Sequence, residues 1–215
     1  MTGVSLGGLT VEAESPAAVA EFWSRALGGT ATRMLDGSVC VRGDFPEMLF
    51  YPQARPKSVK NRVHLDTFVS SLDPVLAVGA TVLDEYLPTR VTMADVEGNE
   101  FCAFIDPAGG PGPLARVFAV CTDSSRPEEL ATWWARLVQA QVGQGPDGTP
   151  RWLRGSAGWS GLVWKFVRNA DERVVPNRWR WTVRADTAEL VAAGATVVEA
   201  GVLVDPQGNE FSVTE

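Results

Sequence analysis

Gly98-Asn99-Glu100-Phe101 and Gly208-Asn209-Glu210-Phe211 are one tetrapeptide met twice, 110 residues apart. Gly-Asn is turn chemistry and Glu-Phe alternates polar with aromatic, so each copy reads as a tight turn entering a strand. The residues around it repeat as well. Gly79-Ala80-Thr81-Val82 returns as Gly194-Ala195-Thr196-Val197. Asn61-Arg62-Val63-His64-Leu65-Asp66-Thr67 has its counterpart in Asn177-Arg178-Trp179-Arg180-Trp181-Thr182, and Pro16 to Phe22-Trp23 matches Pro127 to Trp133-Trp134. The same motifs in the same order, at offsets of 110 to 116, make the chain a tandem duplication.

Asp106-Pro107-Ala108-Gly109-Gly110-Pro111-Gly112-Pro113 holds three prolines and three glycines, which propagate neither helix nor sheet. Residues 107–113 therefore read as a linker between modules at 1–106 and 114–215. In the first half, residues 4–13 alternate as a strand, and Ser15-Pro16 supplies an N-cap and an N1 proline. Val19, Phe22, Trp23 and Leu27 follow at helical spacing and Gly28-Gly29 ends the helix. Strands near 30–35, 38–42 and 47–52 come next, and the order then restarts. A strand at 60–69 leads to a helix near 71–78 and strands near 80–85, 89–94 and 100–105. The second half predicts strand 115–121, helix 126–139 and strands 151–154 and 161–167. It continues with strand 176–184, helix 186–193 and strands 195–198, 201–204 and 210–214. The result is an α+β chain of four βαβββ units. Gly194 to Gly208 is five residues shorter than Gly79 to Gly98, so one hairpin is pared down and its cleft rim should open.

The bulk numbers exclude several functions. A net charge of −7 argues against a nucleic-acid partner, which needs a basic face. Met1-Thr2-Gly3-Val4 does not begin a signal peptide, and no apolar run reaches the length of a membrane span. Three cysteines at wide spacing suit a reducing compartment, so the cytoplasm is the expected location. Walker, Gly-x-Gly-x-x-Gly, Gly-x-Ser-x-Gly and His-Glu-x-x-His motifs are all missing.

Paired βαβββ units closing on an Asp-x-x-Gly-Asn-Glu-Phe turn resemble the vicinal oxygen chelate superfamily, in its glyoxalase-like (glyoxalase/bleomycin resistance/dioxygenase) branch. Val59-Lys60-Asn61-Arg62-Val63-His64-Leu65-Asp66 carries the likeness, as do Asp95 to Cys102 and Asp205-Pro206-Gln207-Gly208-Asn209-Glu210-Phe211. The resemblance implies two modules, each a curled mixed sheet around a cleft with helices on the outer face. It also implies metal ligands on the first and last strands. Those positions fall near Gly8, on His64 and on Cys102, then on Arg180 and Ser212, and arginine ligates no metal.

Two sets of candidates emerge. His64, Asp66, Glu100 and Cys102 share a strand face and could support acid–base or thiolate chemistry, or one divalent metal near His64. Arg180, Thr182, Glu210 and Ser212 would hold a ligand in the second cleft, with some of Trp152, Trp159 and Trp164 as stacking surface; Glu210 is either a rim residue of its turn or paired to Arg180. Trp179 and Trp181 alternate with the arginines and should face the helices. The degraded ligand set favours a metal-independent protein without cofactor that binds a hydrophobic or aromatic small molecule, in the second cleft. The alternative is a lyase or isomerase using His64 with Glu100 or Asp66, or a metal-dependent glyoxalase- or dioxygenase-type enzyme. The expected assembly is a monomer whose modules pack as an intramolecular pseudo-dimer. Each module could close on itself, or the modules could exchange units.

Overall fold

The computed structural model describes residues 3–53, 55–86, 90–106 and 112–214, so most of the linker at 107–113 lies outside the described residues. Unit one is β1 (Ser5–Ala13), α1 (Pro16–Leu27), β2 (Thr30–Arg33), β3 (Val39–Gly43) and β4 (Phe45–Pro52). Unit two is β5 (Val63–Val69), α2 (Asp73–Ala77), β6 (Thr81–Tyr86), β7 (Arg90–Ala94) and β8 (Glu100–Ile105). Unit three is β9 (Ala115–Ser124), α3 (Pro127–Leu137), β10 (Gln141–Gln144), β11 (Pro150–Ser156) and β12 (Trp159–Arg168). Unit four is β13 (Trp179–Arg184), α4 (Thr187–Ala192), β14 (Thr196–Glu199), β15 (Val202–Val204) and β16 (Glu210–Thr214). The four βαβββ units of the sequence reading are present. β10 was not expected, because Gln-Val-Gly-Gln is a polar edge strand without apolar alternation. None of the helices among the described residues is long and apolar enough to cross a membrane.

The units do not pair in chain order. One eight-stranded sheet runs β14-β15-β16-β13-β1-β4-β3-β2 and joins unit four to unit one. The other runs β10-β11-β12-β9-β5-β8-β7-β6 and joins unit three to unit two. Of the two arrangements left open, modules that close on themselves or modules that exchange units, the sheets show exchange between the halves 1–106 and 114–215. Each sheet takes one unit from each half. The central joins are antiparallel, β1 to β13 and β5 to β9, and within each unit the first strand runs parallel to the last.

The helices cover the sheet faces opposite the clefts, and those faces meet in one core. Trp23 of α1 lies 5.6 Å from Trp179 on one sheet and 5.3 Å from Phe101 on the other. Trp134 of α3 contacts Trp181 and Phe211 at 5.6 and 5.1 Å and Trp164 at 4.9 Å, again bridging both sheets. Such edge-on pairs add about 0.5–1.5 kcal/mol each beyond area burial. Trp179 and Trp181 thus face the helices, as their alternation with arginine predicts.

The repeated turn is the lock on this core. The buried Asp95 carboxylate accepts from Trp23 Nε1 at 3.0 Å, and from Asn99 N and Glu97 N, both at 2.9 Å. Asp205 does the same with Trp134 Nε1 at 3.3 Å, Asn209 N at 3.0 Å and Gln207 N at 2.9 Å. The turns also reach across to the opposite sheet's helix. Ser15 sits at the N-cap of α1 without a side-chain cap, and Glu97 supplies the acceptors instead, for Glu14 N at 3.0 Å and Ser15 N at 2.5 Å. Gln207 plays that part for Arg126 N at the start of α3, at 3.2 Å. The motif therefore serves the fold, and the chemistry must be sought beside it.

Candidate functional site

Strand register assembles the first candidate site. Asp66 on β5 lies opposite Cys102 on β8, and His64 lies opposite Cys121 on β9. Cys121 is in turn opposite Lys165 on β12, and Lys165 is opposite Trp152 on β11. Paired residues point to the same face, so these six side chains converge, and they line a cavity of about 400 Å³. His64, Asp66, Glu100 and Cys102 are brought together as the sequence predicts. Lys165, Cys121 and Arg90, which the sequence reading did not single out, complete the lining, together with Trp152, which it had offered to the second cleft.

A buried ion pair dominates the floor. Lys165 Nζ donates to Asp66 Oδ2 at 2.8 Å, with the two side chains only 11% and 6% exposed. The same ammonium lies 4.5 Å from the Phe118 ring centre, 4.9 Å from Trp152 and 5.4 Å from Phe104. Ring faces attract a cation, so carboxylate and rings together fix the charge at one point. His64 Nε2 stands 3.6 Å from Asp66 Oδ1, and its Nδ1 is buried without a hydrogen-bond partner. Burial lowers the His64 pKa against the opposing pull of Asp66, so the imidazole is neutral at pH 7. Burial and then Asp66 push the Cys102 thiol up to about 11, and Cys121 is pushed well above its ordinary value for the same reasons. Burial therefore disfavours the thiolate form of Cys102. Glu100 is engaged at the rim, accepting from Lys57 Nζ at 2.6 Å and Asn61 N at 3.0 Å.

His64, Asp66 and Cys102 place one donor atom each within 4.8 Å of one another, close enough to hold a metal ion. Their chemistry does not fit one. Asp66 already carries an ammonium, and a divalent ion beside Lys165 would face a fixed positive charge.

The second cleft is spent on its own charges. Arg180 donates to the Tyr51 hydroxyl and to Glu12 at 3.4 Å, and Glu12 also binds Arg55 at 2.9 Å. Glu210 pairs with Arg173 and accepts from Asn177 N at 3.2 Å, so the Arg180–Glu210 pair is not made. Thr182 donates to Gly8 O at 3.2 Å, and Ser212 Oγ lies 3.5 Å from Thr10 Oγ1. Gly8, at a ligand position, is required by packing, since a Cβ there would strike the Glu47 carbonyl oxygen. Trp164 is a correction. It lies on the helix-facing side of β12, fully buried, with Nε1 donating to Thr122 Oγ1 at 2.9 Å, and Trp152 is the indole that lines a cleft. Lys165 carried a signal in sequence, as the lone charge within Leu162-Val163-Trp164-Lys165-Phe166-Val167.

The family model described as "Glyoxalase-like domain" matches residues 8–104 and again 119–214. Among solved structures, glyoxalase I from Zea mays is similar over 98% of this chain and 92% of its own, with TM-score 0.65 and 10% identity. A putative dioxygenase from Bacillus subtilis subsp. subtilis str. 168 is similar over 97% of this chain and 84% of its own, with TM-score 0.64 and 14% identity. None of the curated protein sequences matches. At these identities the solved structures speak to the fold, and the site must be argued from its own residues.

Proposed function

Since this chain belongs to the glyoxalase-like domain family and shares its fold with solved proteins named as enzymes, we propose a departure from them. The chain acts as a metal-independent binding protein for a small organic molecule with an aromatic or apolar body. The binding site is the cleft formed by β5, β8, β9 and β12. This revises the sequence expectation that the Arg180 cleft would bind. The observation that carries the reading is Lys165, whose ammonium is held by three rings and by Asp66, one of the three residues that could otherwise ligate a metal. A protein-borne cation repels a divalent ion while leaving the cavity free for a ligand. Trp152 and Phe104 line that cavity and offer rigid stacking surface, and each sheet is completed within one chain, so a monomer suffices as the working unit.

The enzymatic alternative, proton transfer by His64 with Asp66 or Glu100, finds less support. His64 Nδ1 is sealed, Nε2 faces an Asp66 already bound to Lys165, and Glu100 is held by Lys57. Two measurements test the reading. Protein incubated with Zn²⁺, Ni²⁺, Mn²⁺ or Fe²⁺ and desalted should retain far less than one equivalent by elemental analysis. Calorimetric titration with 2-naphthalenemethanol should show one site per chain, weakened by Trp152→Ala. One tightly held equivalent of metal, lost on His64→Ala, would overturn it.

A further inference from the structure

The proposed cleft carries one cation that the protein does not neutralise. Lys60, Arg90, Arg151 and Lys165 all line it. Lys60 pairs with Asp123 at 2.7 Å, Arg151 with Asp147 at 3.3 Å and Lys165 with Asp66 at 2.8 Å. The remaining carboxylate of the lining, Glu100, belongs to Lys57 at 2.6 Å. Among the described residues Arg90 has no carboxylate partner, and its Nε is buried without any hydrogen bond. Asp84, on the adjoining edge strand, is exposed and lies opposite Thr92 in register, not opposite Arg90.

Arg90 is nonetheless held in place. Its guanidinium carbon lies 4.4 Å from the Tyr86 ring centre, a cation–π contact that restrains the side chain without using its N–H donors. In register it lies opposite Phe104, one of the rings around the Lys165 ammonium, and Thr92 lies opposite Cys102. A planar donor fork thus stands beside an aromatic wall, at the side of a cavity of about 400 Å³. In a chain of net charge −7 a lone uncompensated cation in a cleft is not part of a general basic surface. Desolvating a ligand anion there is offset by the charge already present, and a single excess charge matches a monoanion.

Resting on the cleft reading above, we propose that the ligand is an aromatic monocarboxylate, its carboxylate on the Arg90 fork and its ring against Phe104 and Trp152. A carboxylate matches the two parallel N–H donors of arginine, whereas a phosphate monoester brings a second charge with nothing left to meet it.

The test compares three probes of one ring system by isothermal calorimetry: 2-naphthoate, neutral 2-naphthalenemethanol and 2-naphthyl phosphate. In the wild type, naphthoate should bind about tenfold or more tighter than the alcohol, as one charge-assisted pair predicts. Arg90→Gln should erase that advantage and leave alcohol binding unchanged. Arg90→Lys, which keeps the charge but not the fork, should retain only part of it, with far-UV circular dichroism confirming that both variants fold. Naphthoate no tighter than the alcohol, an advantage that survives Arg90→Gln, or phosphate binding tighter than carboxylate would each overturn the proposal while leaving the cleft reading intact. If neither naphthoate nor the alcohol binds, the cleft reading falls and takes the proposal with it.

Discussion

Replacing Asp66 with Asn keeps the shape of the side chain and removes the charge that holds Lys165. At 2.8 Å and an effective dielectric of about 20, the attraction between the two charges is roughly 6 kcal/mol. Part of it offsets the desolvation of two groups that are only 6% and 11% exposed. Breaking one side of such a pair costs about 3–5 kcal/mol, because a buried charge is left alone. The three rings around Nζ and the open cavity should soften this toward the lower end. A loss of about 3 kcal/mol lowers the melting midpoint of a chain this size by roughly 6–12 °C. Lys165→Met should cost less, since His64 can take up a proton and serve Asp66 in its place. The double variant Asp66→Asn/Lys165→Met leaves no buried charge and should recover most of the loss. Urea unfolding of the four proteins closes the cycle. Costs that simply add, with coupling below about 0.5 kcal/mol, would show that the two groups do not act as a pair and would remove the basis for a resident cation.

Three further outcomes follow from the same geometry. His64 is the single histidine, and burial lowers its pKa below 6.5, so its stability contribution is present above pH 6.5 and is lost as pH falls through the lower native value. His64→Gln should flatten that part of the pH–stability curve, and the one imidazole NMR resonance should titrate below 6.5; a midpoint above 6.5 refutes this. Cys40 and Cys102 are pushed up to about 11 and Cys121 well above its ordinary value, so at pH 7.5 all three thiols should react with a disulfide reagent only as the chain unfolds. Gly158 has φ +89°, and a Cβ there would strike the Leu6 backbone where Leu6 N donates to Ala157 O at 2.8 Å. Gly158→Ala should cost well over the roughly 1 kcal/mol expected at Gly155, which has φ +68° but open space around it; equal midpoints in urea would refute the clamp.

Local structure was legible in this sequence because it is written in local chemistry. Pro16, Gly28 and the Gly-Asn turns bound their elements as expected. Alternation told Trp179 and Trp181 from Arg180, and parity brought His64, Asp66 and Cys102 to one face. Pairing between units was not legible, because β1 meets β13 and β5 meets β9 through backbone bonds that any alternating strand could make. The error at Trp164 had another source. A tryptophan on a strand shows its parity only once the register is known, and Lys165, one residue on, is what the cleft receives. Arg90 was hidden because its importance lies in lacking a partner, and partners are set by the fold.

The two clefts solve one electrostatic problem in two ways. Each has a buried carboxylate on a first strand, Glu12 on β1 and Asp66 on β5, and each answers it with a cation of the chain, Arg180 or Lys165. In the Arg180 cleft, Tyr51 and Arg55 crowd onto the same pair. In the Lys165 cleft, rings surround the ammonium and leave the cavity beside it. The pared hairpin then decides the anion site. Thr92 lies opposite Cys102 and Arg90 opposite Phe104, two residues farther along. In the matching unit Val202 lies opposite Ser212, but β15 begins at Val202, so the strand position corresponding to Arg90 falls in the turn. The shortening seen in sequence suggested a wider rim for a larger ligand in that cleft. In three dimensions it removes the place from which an anion-binding arginine could reach in, and so reserves that function for the cleft of His64 and Lys165.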